Sequence, residues 1–214
     1  MPEFAVVYDN DAIEPFISAW GFSCFVRAGK VRILFDTGWD GEILLHNLSL
    51  FGIEDFDFIV LSHQHWDHIG GLNHVISRAS AVVVPSSFSP NLKREISRKA
   101  ELVVVDSPAR ICEGVYTTGA LPYSSLSSEQ SLLIDTGEIF VVTGCSHPGL
   151  DVILRVAERF GRVCGVMGGF HGFSKIELLK DYDIVLPCHC TVMKEEILKM
   201  ENARRCYAGC SFTL

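Results

Sequence analysis

Short apolar runs rich in β-branched residues alternate along the chain with segments in which apolar residues recur every three or four positions. The apolar runs are typical of buried strands, and we predict them at residues 31–35, 58–61, 81–84, 102–105, 139–143 and 184–186. The wider spacing predicts helices at residues 68–78, 91–100 and 150–160, the first with Asp67 as its N-cap. Alternating strands and helices indicate an α/β fold.

Two stretches of the first half of the chain are echoed in the second half. Each echo pairs two strand-like segments: 23–34 with 131–142, and 59–65 with 184–190. The first alignment places Gly29 on Gly137 in two predicted hairpin turns. A single domain with two similar halves, roughly residues 1–107 and 108–214, accounts for both echoes. Chance similarity between apolar strands is the alternative.

Composition narrows the class of protein. With 48% hydrophobic and only 21% charged residues, 214 residues build one sizeable core, which excludes an intrinsically disordered chain. Acidic residues outnumber basic ones 26 to 18, so we expect no nucleic-acid partner.

No apolar stretch reaches the roughly 18 residues that span a bilayer, and no secretory leader is recognisable, so we expect a cytoplasmic protein without a membrane partner. We interpret most of the eight cysteines as reduced core residues.

Four predicted strands end abruptly in polar residues that can carry chemistry. These residues are Asp36 after the first strand; His63, His65, Asp67 and His68 after the second; Cys145 and His147 after residue 143; and His189 after residue 186. Strand ends in open α/β sheets gather ligands, because the loops there converge while the strands hold them in place.

The cluster from His63 to His68 is the strongest signal. Residues two apart in an extended segment point the same way, so His63 and His65 can offer their imidazoles to one metal ion. Asp67 and His68 lie at the turn into the predicted helix and face a second point nearby. A solvated polar loop is the alternative, which this concentration of metal-ligating groups disfavours. Histidine-rich ligation favours one or two Zn²⁺ ions, although iron or manganese also accepts mixed imidazole and carboxylate ligands.

Residues 62–72, SHQHWDHIGGL, together with residues 34–38, LFDTG, resemble the metallo-β-lactamase superfamily. The resemblance covers nearly the whole chain and implies a four-layered αβ/βα sandwich of two similar halves with a metal site at one edge. It implies two sets of ligands: His63, His65 and His147 for the first metal, and Asp67, His68 and His189 for the second. It also implies that Asp36 orients a ligand imidazole through a hydrogen bond; a turn residue before Thr37 and Gly38 is the alternative.

The sequence departs from the superfamily at one position. Many members have an aspartate that bridges the two metals after a strand, whereas the comparable strand here leads to Cys145. Without that carboxylate the second site would be weaker, unless Cys145 coordinates as a thiolate; a buried packing residue is the alternative. His147 and His189 are isolated in sequence, so structural histidines are the alternative there. Cys188 and Cys190 would point away from the His189 side chain in an extended segment, and we interpret them as packing residues.

A narrower resemblance is to one branch of the superfamily. That branch is named for the dihydropterin–ribofuranosylaminobenzene phosphate synthase. The segments similar to it are 129–131, 144–149, 168–171 and 188–191, and Asn10, Asn47 and Gly52 also fit. His171 lies in a glycine-flanked loop and could donate a proton to a leaving oxygen, or could be a loop histidine in water. We expect Glu129 to be a solvated loop residue rather than one that reaches the metals.

These observations predict a metal-dependent hydrolase in which activated water attacks an ester or phosphoester of a small, phosphorylated molecule. Asp67 and His171 are its predicted catalytic residues. One alternative is a transferase that couples a pterin diphosphate to a phosphorylated aryl riboside, as the branch name implies. The other is a protein that binds metal or ligand without turnover, because fold alone does not settle function. The oligomeric state is left open.

Overall fold

Two β-sheets and the helices outside them make up the fold of the computed structural model, which describes all 214 residues. The first half of the chain contributes six strands to one sheet: β1 Glu3–Tyr8, β2 Ser23–Ala28, β3 Val31–Phe35, β4 Phe56–Val60, β5 Ala79–Pro85 and β6 Glu101–Val105. Strands β1 to β3 are antiparallel, and β3 to β6 are parallel. The parallel strands therefore bring their carboxyl ends to one edge of the sheet.

The second half of the chain contributes a second, six-stranded sheet and three further strands. Its strands are β7 Ala109–Cys112, β8 Val115–Thr117, β9 Leu121–Pro122, β10 Ser128–Glu129, β11 Leu132–Asp135, β12 Ile139–Thr143, β13 Val163–Gly169, β14 Ile184–Cys188 and β15 Ser211–Thr213. The second sheet has the order β14-β13-β12-β11-β8-β7, and its strands β12 to β14 are parallel. Strands β9 and β10 form a separate ribbon, and β15 returns to pair with β1 in the first sheet.

Six α-helices and two 3₁₀ segments lie between the strands. The helices are α1 Gly41–Leu50, α2 Trp66–Ile69, α3 Leu72–Val75, α4 Pro90–Ser97, α5 Leu150–Ala157 and α6 Lys194–Ile197, and the 3₁₀ segments are Ile76–Arg78 and Ile176–Asp181. None of these helices has the length and apolar content needed to cross a bilayer.

Three apolar clusters separate four layers. Alternate residues of each strand face opposite sides: Ile33 and Phe35 of β3 lie in the cluster between the sheets, whereas Leu34 packs outward with the helices. The second sheet does the same, with Phe140 inside and Val141 packed outward against the helices on that face. Helix, sheet, sheet and helix therefore follow in order, which is the predicted αβ/βα sandwich.

The predicted strands and hairpins are confirmed, with slightly different bounds. Gly29 links the antiparallel strands β2 and β3 with a φ of +61°, and Gly137 links β11 and β12 with a φ of +97°. Both glycines are needed because this left-handed region is costly for other residues. The two echoed segments therefore form equivalent hairpins, one in each sheet.

The single helix predicted at residues 68–78 is wrong. The chain there forms α2, α3 and a 3₁₀ turn, and the N-cap is His65, without a side-chain bond, rather than Asp67. Only glycine fits at position 70, because a Cβ there would lie 2.1 Å from the carbonyl oxygen of Trp39. The backbone packs closely here, and Asp67 is left free to face the strand ends.

Candidate metal centre

The carboxyl ends of β4, β12 and β14 bring the six predicted metal ligands into two adjacent triads. The first triad is His63, His65 and His147, and the second is Asp67, His68 and His189. Within each triad the ligand atoms all lie within 4.8 Å of one another. Residues up to 126 positions apart in sequence, from His63 to His189, thus meet at one rim of the sandwich.

The first triad consists of imidazoles from two loops. Nε2 of His63 lies 2.9 Å from Nδ1 of His65, and the ring of His147 is centred 4.8 Å from that of His63. Nε2 of His147 is buried and has no hydrogen-bond partner. A buried ring nitrogen without a partner is unfavourable unless something binds its lone pair or its proton.

The second triad adds a carboxylate. Oδ2 of Asp67 lies 3.2 Å from Nε2 of His189 and 3.8 Å from Nε2 of His68. The same oxygen accepts a hydrogen bond of 2.9 Å from the indole nitrogen of Trp20. Nε2 of His189 is buried and is not aligned for a hydrogen bond to any neighbour.

These spacings fit a divalent metal ion of the zinc type. Tetrahedral zinc with bonds of about 2.1 Å places neighbouring ligand atoms about 3.4 Å apart. The observed separations of 2.9, 3.2 and 3.8 Å lie on both sides of that value. The strongest support for bound metal is that each triad contains one buried ring nitrogen without a hydrogen-bond partner.

Burial keeps most of the imidazoles neutral, which is the form that binds metals. It lowers the pKa of His63 well below the usual value, and lowers the pKa values of His147 and His189 to about 4. Burial would raise the pKa of Asp67, but contact with His189 and the charge of His68 hold it below its usual range. At neutral pH the rim therefore presents free imidazole lone pairs next to one carboxylate.

Asp36 is buried behind the second triad. Its Oδ1 accepts a hydrogen bond of 2.6 Å from the backbone N–H of Ser62, and its Oδ2 accepts one of 2.6 Å from the Ser62 hydroxyl. Oδ2 also lies 2.7 Å from Nδ1 of His68. Although burial opposes it, the charge of Asp36 raises the pKa of His68 overall. Asp36 thus holds the proton on Nδ1 and leaves Nε2 facing the triad.

Backbone strain is concentrated at the same rim. The four non-glycine residues with positive φ are Asp36, Ser146, His171 and His189, with φ between 45° and 60°. Each such residue costs about 1–3 kcal/mol, so the surrounding structure must hold it in place. Strain at exactly these loops is consistent with side chains positioned for a ligand.

The prediction that Glu129 is a solvated loop residue is wrong. Its side chain is buried, and Oε1 accepts hydrogen bonds from the backbone N–H groups of Cys145 and Ser146, at 2.8 and 2.9 Å. Oε2 accepts a bond of 2.8 Å from the N–H of His147. Burial raises the pKa of Glu129, and the three N–H donors oppose that shift. Glu129 therefore fixes the loop that presents His147.

His189 is held by residues from the start of the chain. The side chain of Asn10 bonds it twice: Oδ1 lies 3.0 Å from the ring Nδ1, and Nδ2 donates to the His189 carbonyl at 3.1 Å. Asp9 accepts a bond of 3.0 Å from the backbone N–H of His189. The branch resemblance pointed to Asn10 without giving its role, and nothing in the sequence singled out Asp9.

We expect Asn10→Ala to weaken metal binding at the second triad by about 10–100-fold, the usual effect of losing a partner that orients a metal-bound histidine. The rest of the fold should be retained, because Asn10 is only half-buried. Competition with a chromophoric zinc chelator measures the affinity. Asn91→Ala, on the exposed side of α4, is the matched control; equal affinities in the two variants would contradict the role of Asn10.

The prediction that Cys188 and Cys190 are only packing residues is wrong. Cys188 forms a disulfide with Cys206, and the other six cysteines are free. Sγ of Cys190 lies 3.3 Å from Sγ of Cys145, because the positive φ of His189 breaks the extended geometry that we assumed. This thiol contact raises the pKa of Cys145 and lowers the pKa of Cys190. Sγ of Cys145 is also 3.1 Å from Nε2 of His68.

His171 and two aromatic residues complete the rim. The exposed ring of His171 is centred 4.9 Å from that of His147, and the ring of Tyr123 is 4.7 Å from it on another side. The ring of Trp20 lies 4.9 Å from that of His189. Sequence reasoning missed Tyr123 and Trp20, because neither lies near a histidine in the chain.

Comparisons with known proteins agree with this geometry. Residues 21–90 match the family model of the metallo-beta-lactamase superfamily. The whole chain superposes on the crystal structure of a metal-dependent hydrolase of the beta-lactamase superfamily with a TM-score of 0.83, at 26% identity, covering 100% of this chain and 99% of the other. The chain is therefore similar to the metallo-β-lactamase superfamily in sequence over residues 21–90, and it shares the fold of one of its metal-dependent hydrolases over its whole length.

Two relatives from Methanocaldococcus jannaschii are similar over nearly their full length. One is an uncharacterized protein, 29% identical over 231 residues that cover 88% of this chain and 90% of the relative. The other is 7,8-dihydropterin-6-methyl-4-(beta-D-ribofuranosyl)-aminobenzene-5'-phosphate synthase, 26% identical over 264 residues that cover 91% and 90%. The similarity to the predicted branch thus extends along most of the chain.

Proposed function

We propose that this protein is a metal-dependent hydrolase that cleaves an ester or phosphoester bond in a small phosphorylated molecule. The observation that carries the proposal is the pair of adjacent ligand triads, each with a buried ring nitrogen that lacks a partner. Bound divalent ions would lower the pKa of water and withdraw charge from the scissile group. Zn²⁺ suits the imidazole-rich ligands best.

Two cavities adjoin the first triad, one at His147 and the other at His65, and they can hold the two sides of a substrate. One cavity, of about 340 Å³, is lined by His147, His171, Phe170 and Phe173 among others. The other, of about 260 Å³, includes His65, Gln64 and Tyr123 together with four serines. The first offers aromatic and glycine surfaces for a ring, and the second offers neutral hydrogen-bond donors for a phosphate. A small substrate can therefore lie across the rim.

Two side chains have the positions needed to move protons. Oδ2 of Asp67 faces the second triad, whereas its Oδ1 makes no bond to another side chain and can accept a proton from attacking water. His171 is exposed beside His147 and can donate a proton from its ring to the leaving oxygen. These are the catalytic roles that we assign to Asp67 and His171.

A single metal-ligand substitution tests the proposal. We expect wild-type protein to carry zinc, iron or manganese and to hydrolyse at least one member of a panel of phosphomonoesters, phosphodiesters and carboxylic esters. His63→Ala should lose the first-triad ion and at least about 100-fold of the turnover, because a buried ligand is removed. His46→Ala, an exposed histidine on α1, is the matched control.

The outcome that contradicts hydrolysis is equally specific. The wild type could contain stoichiometric metal and yet turn over no substrate, like His65→Ala. That result would favour a protein that only binds metal or ligand. Elemental analysis and the substrate panel together separate the two cases.

A transferase is the second candidate, because one relative of 26% identity is a synthase. A pterin diphosphate supplied with and without a phosphorylated aryl riboside separates the two reactions. Release of diphosphate that requires the riboside indicates coupling, whereas release without it indicates hydrolysis.

A further inference from the structure

Two free thiols lie against the second triad. Sγ of Cys145 is 3.1 Å from Nε2 of His68 and 3.3 Å from Sγ of Cys190. The two sulfurs and a ring nitrogen of His189 all lie within 4.8 Å of one another. The sulfur of Cys145 and the ligand atoms of His63 and His68 also lie within 4.8 Å of one another. This sulfur therefore lies between a residue of the first triad and the residues of the second.

The backbone of β13 approaches Cys190 closely at Gly169. A Cβ on Gly169 would lie 2.7 Å from Sγ of Cys190 and 2.5 Å from the carbonyl oxygen of Gly144. Only glycine fits there, so the close approach of β13 to Cys190 is built into the sequence. His189 is only 5% exposed, and its Nε2 is buried without a hydrogen-bond partner.

We propose that Cys145 and Cys190 bind the second metal ion as thiolates beside His189. The inference rests on the metal site of the proposed function and adds two ligands to it. Each thiol that binds releases its proton to solvent. The second ion would then have five protein ligands. Zn–S bonds of about 2.3 Å hold two sulfurs about 3.3–3.8 Å apart for S–Zn–S angles between about 90° and 110°, and the observed 3.3 Å lies at the lower end of that range.

Sulfur ligands also decide which ions the site accepts. Thiolates favour zinc, ferrous iron and cobalt over magnesium and manganese, which prefer oxygen ligands. The second position should therefore discriminate strongly against magnesium and manganese, and this preference would be lost when both sulfurs are replaced by hydroxyls.

Cobalt is the probe that reports sulfur directly. Metal-free full-length protein, prepared anaerobically, is titrated with Co²⁺ while its absorption is recorded. We expect a sulfur-to-cobalt charge-transfer band in the near ultraviolet as the second equivalent binds. The band should be weakened in Cys190→Ser and lost when both Cys145 and Cys190 are serine. Cys112→Ser, at a half-buried cysteine on β7, should keep it.

Each result separates this inference from the proposed hydrolase. Two bound equivalents without the charge-transfer band would overturn thiolate ligation and leave the hydrolase proposal standing. A band without turnover would overturn only the hydrolase, and failure to bind cobalt at all would overturn both. Visible absorption from the first equivalent, bound by the three histidines, shows that a serine variant has folded.

Counting reactive thiols provides an independent measurement. Zinc should reduce the number of thiols that react with an aromatic disulfide reagent by two in the wild type and by none in the double serine variant. An unchanged count in the wild type would overturn the proposal.

Discussion

Glu129→Ala is expected to destabilise the protein by about 4 kcal/mol, because three buried backbone N–H groups would lose a charged acceptor at once. Those groups belong to Cys145, Ser146 and His147, and no other acceptor bonds them. Urea unfolding of metal-free protein measures the loss, since bound metal would add its own stabilisation. His147 should also leave the first triad, so the affinity for the first ion should fall.

Two further variants give this prediction its control. Glu129→Gln keeps one oxygen acceptor, but its amide NH₂ group would face one or more of the backbone N–H groups. We therefore expect the free energy of unfolding to fall by a smaller amount, about 2 kcal/mol. Glu177→Ala, at an exposed glutamate, should change the free energy of unfolding by less than about 0.5 kcal/mol. A loss below about 1 kcal/mol in Glu129→Ala would mean that the carboxylate does not organise the loop.

Glu129 also shows where sequence reasoning stops. Its neighbours, SSLSSEQS, have the composition of a solvated loop, and only the fold brings them over the end of β12. The cluster at residues 63–68 could be found because its ligands are local in sequence and share a strand end. His147 and His189 required the superfamily pattern. Asn10 bonds a residue 179 positions away, a contact that no local pattern encodes.

The fold could be predicted from the sequence only in part, for similar reasons. The apolar runs located the parallel strands well, because all of these strands but the edge strand β6 are largely buried and form continuous hydrophobic segments. Helix α1 was missed although Asp40 caps it through bonds to the N–H groups of Glu42 and Ile43. The prediction for Cys190 failed because it assumed an extended chain, whereas His189 has a left-handed backbone.

Asp36→Asn is expected to reduce affinity for the second ion by about 10–100-fold while the protein remains folded. The asparagine keeps the shape of Asp36 and can still accept from Ser62, but its amide would donate to Nδ1 of His68. The proton of His68 would then move to Nε2, the atom that faces the triad, and a protonated nitrogen cannot bind a metal. Two-site zinc titration against a chelator measures the change.

Two comparison variants distinguish this tautomer effect from loss of the fold. Asp36→Ala breaks a fully buried charged pair and should cost about 4 kcal/mol of stability, unlike the asparagine. Asp40→Asn is the matched control, because an N-cap asparagine can accept the same two backbone bonds as aspartate. Unchanged affinity for two ions in Asp36→Asn would contradict the role assigned to Asp36.

Combining Asp36→Asn with Asn10→Ala tests whether both residues act on one ion. Asp36 orients His68 and Asn10 orients His189, and these two imidazoles belong to the same triad. If one ion depends on both residues, the free energy of binding lost in the double variant should be smaller than the sum of the two single losses. The reason is that the ion is already poorly held after the first change. Fully additive losses would instead place His68 and His189 on different ions.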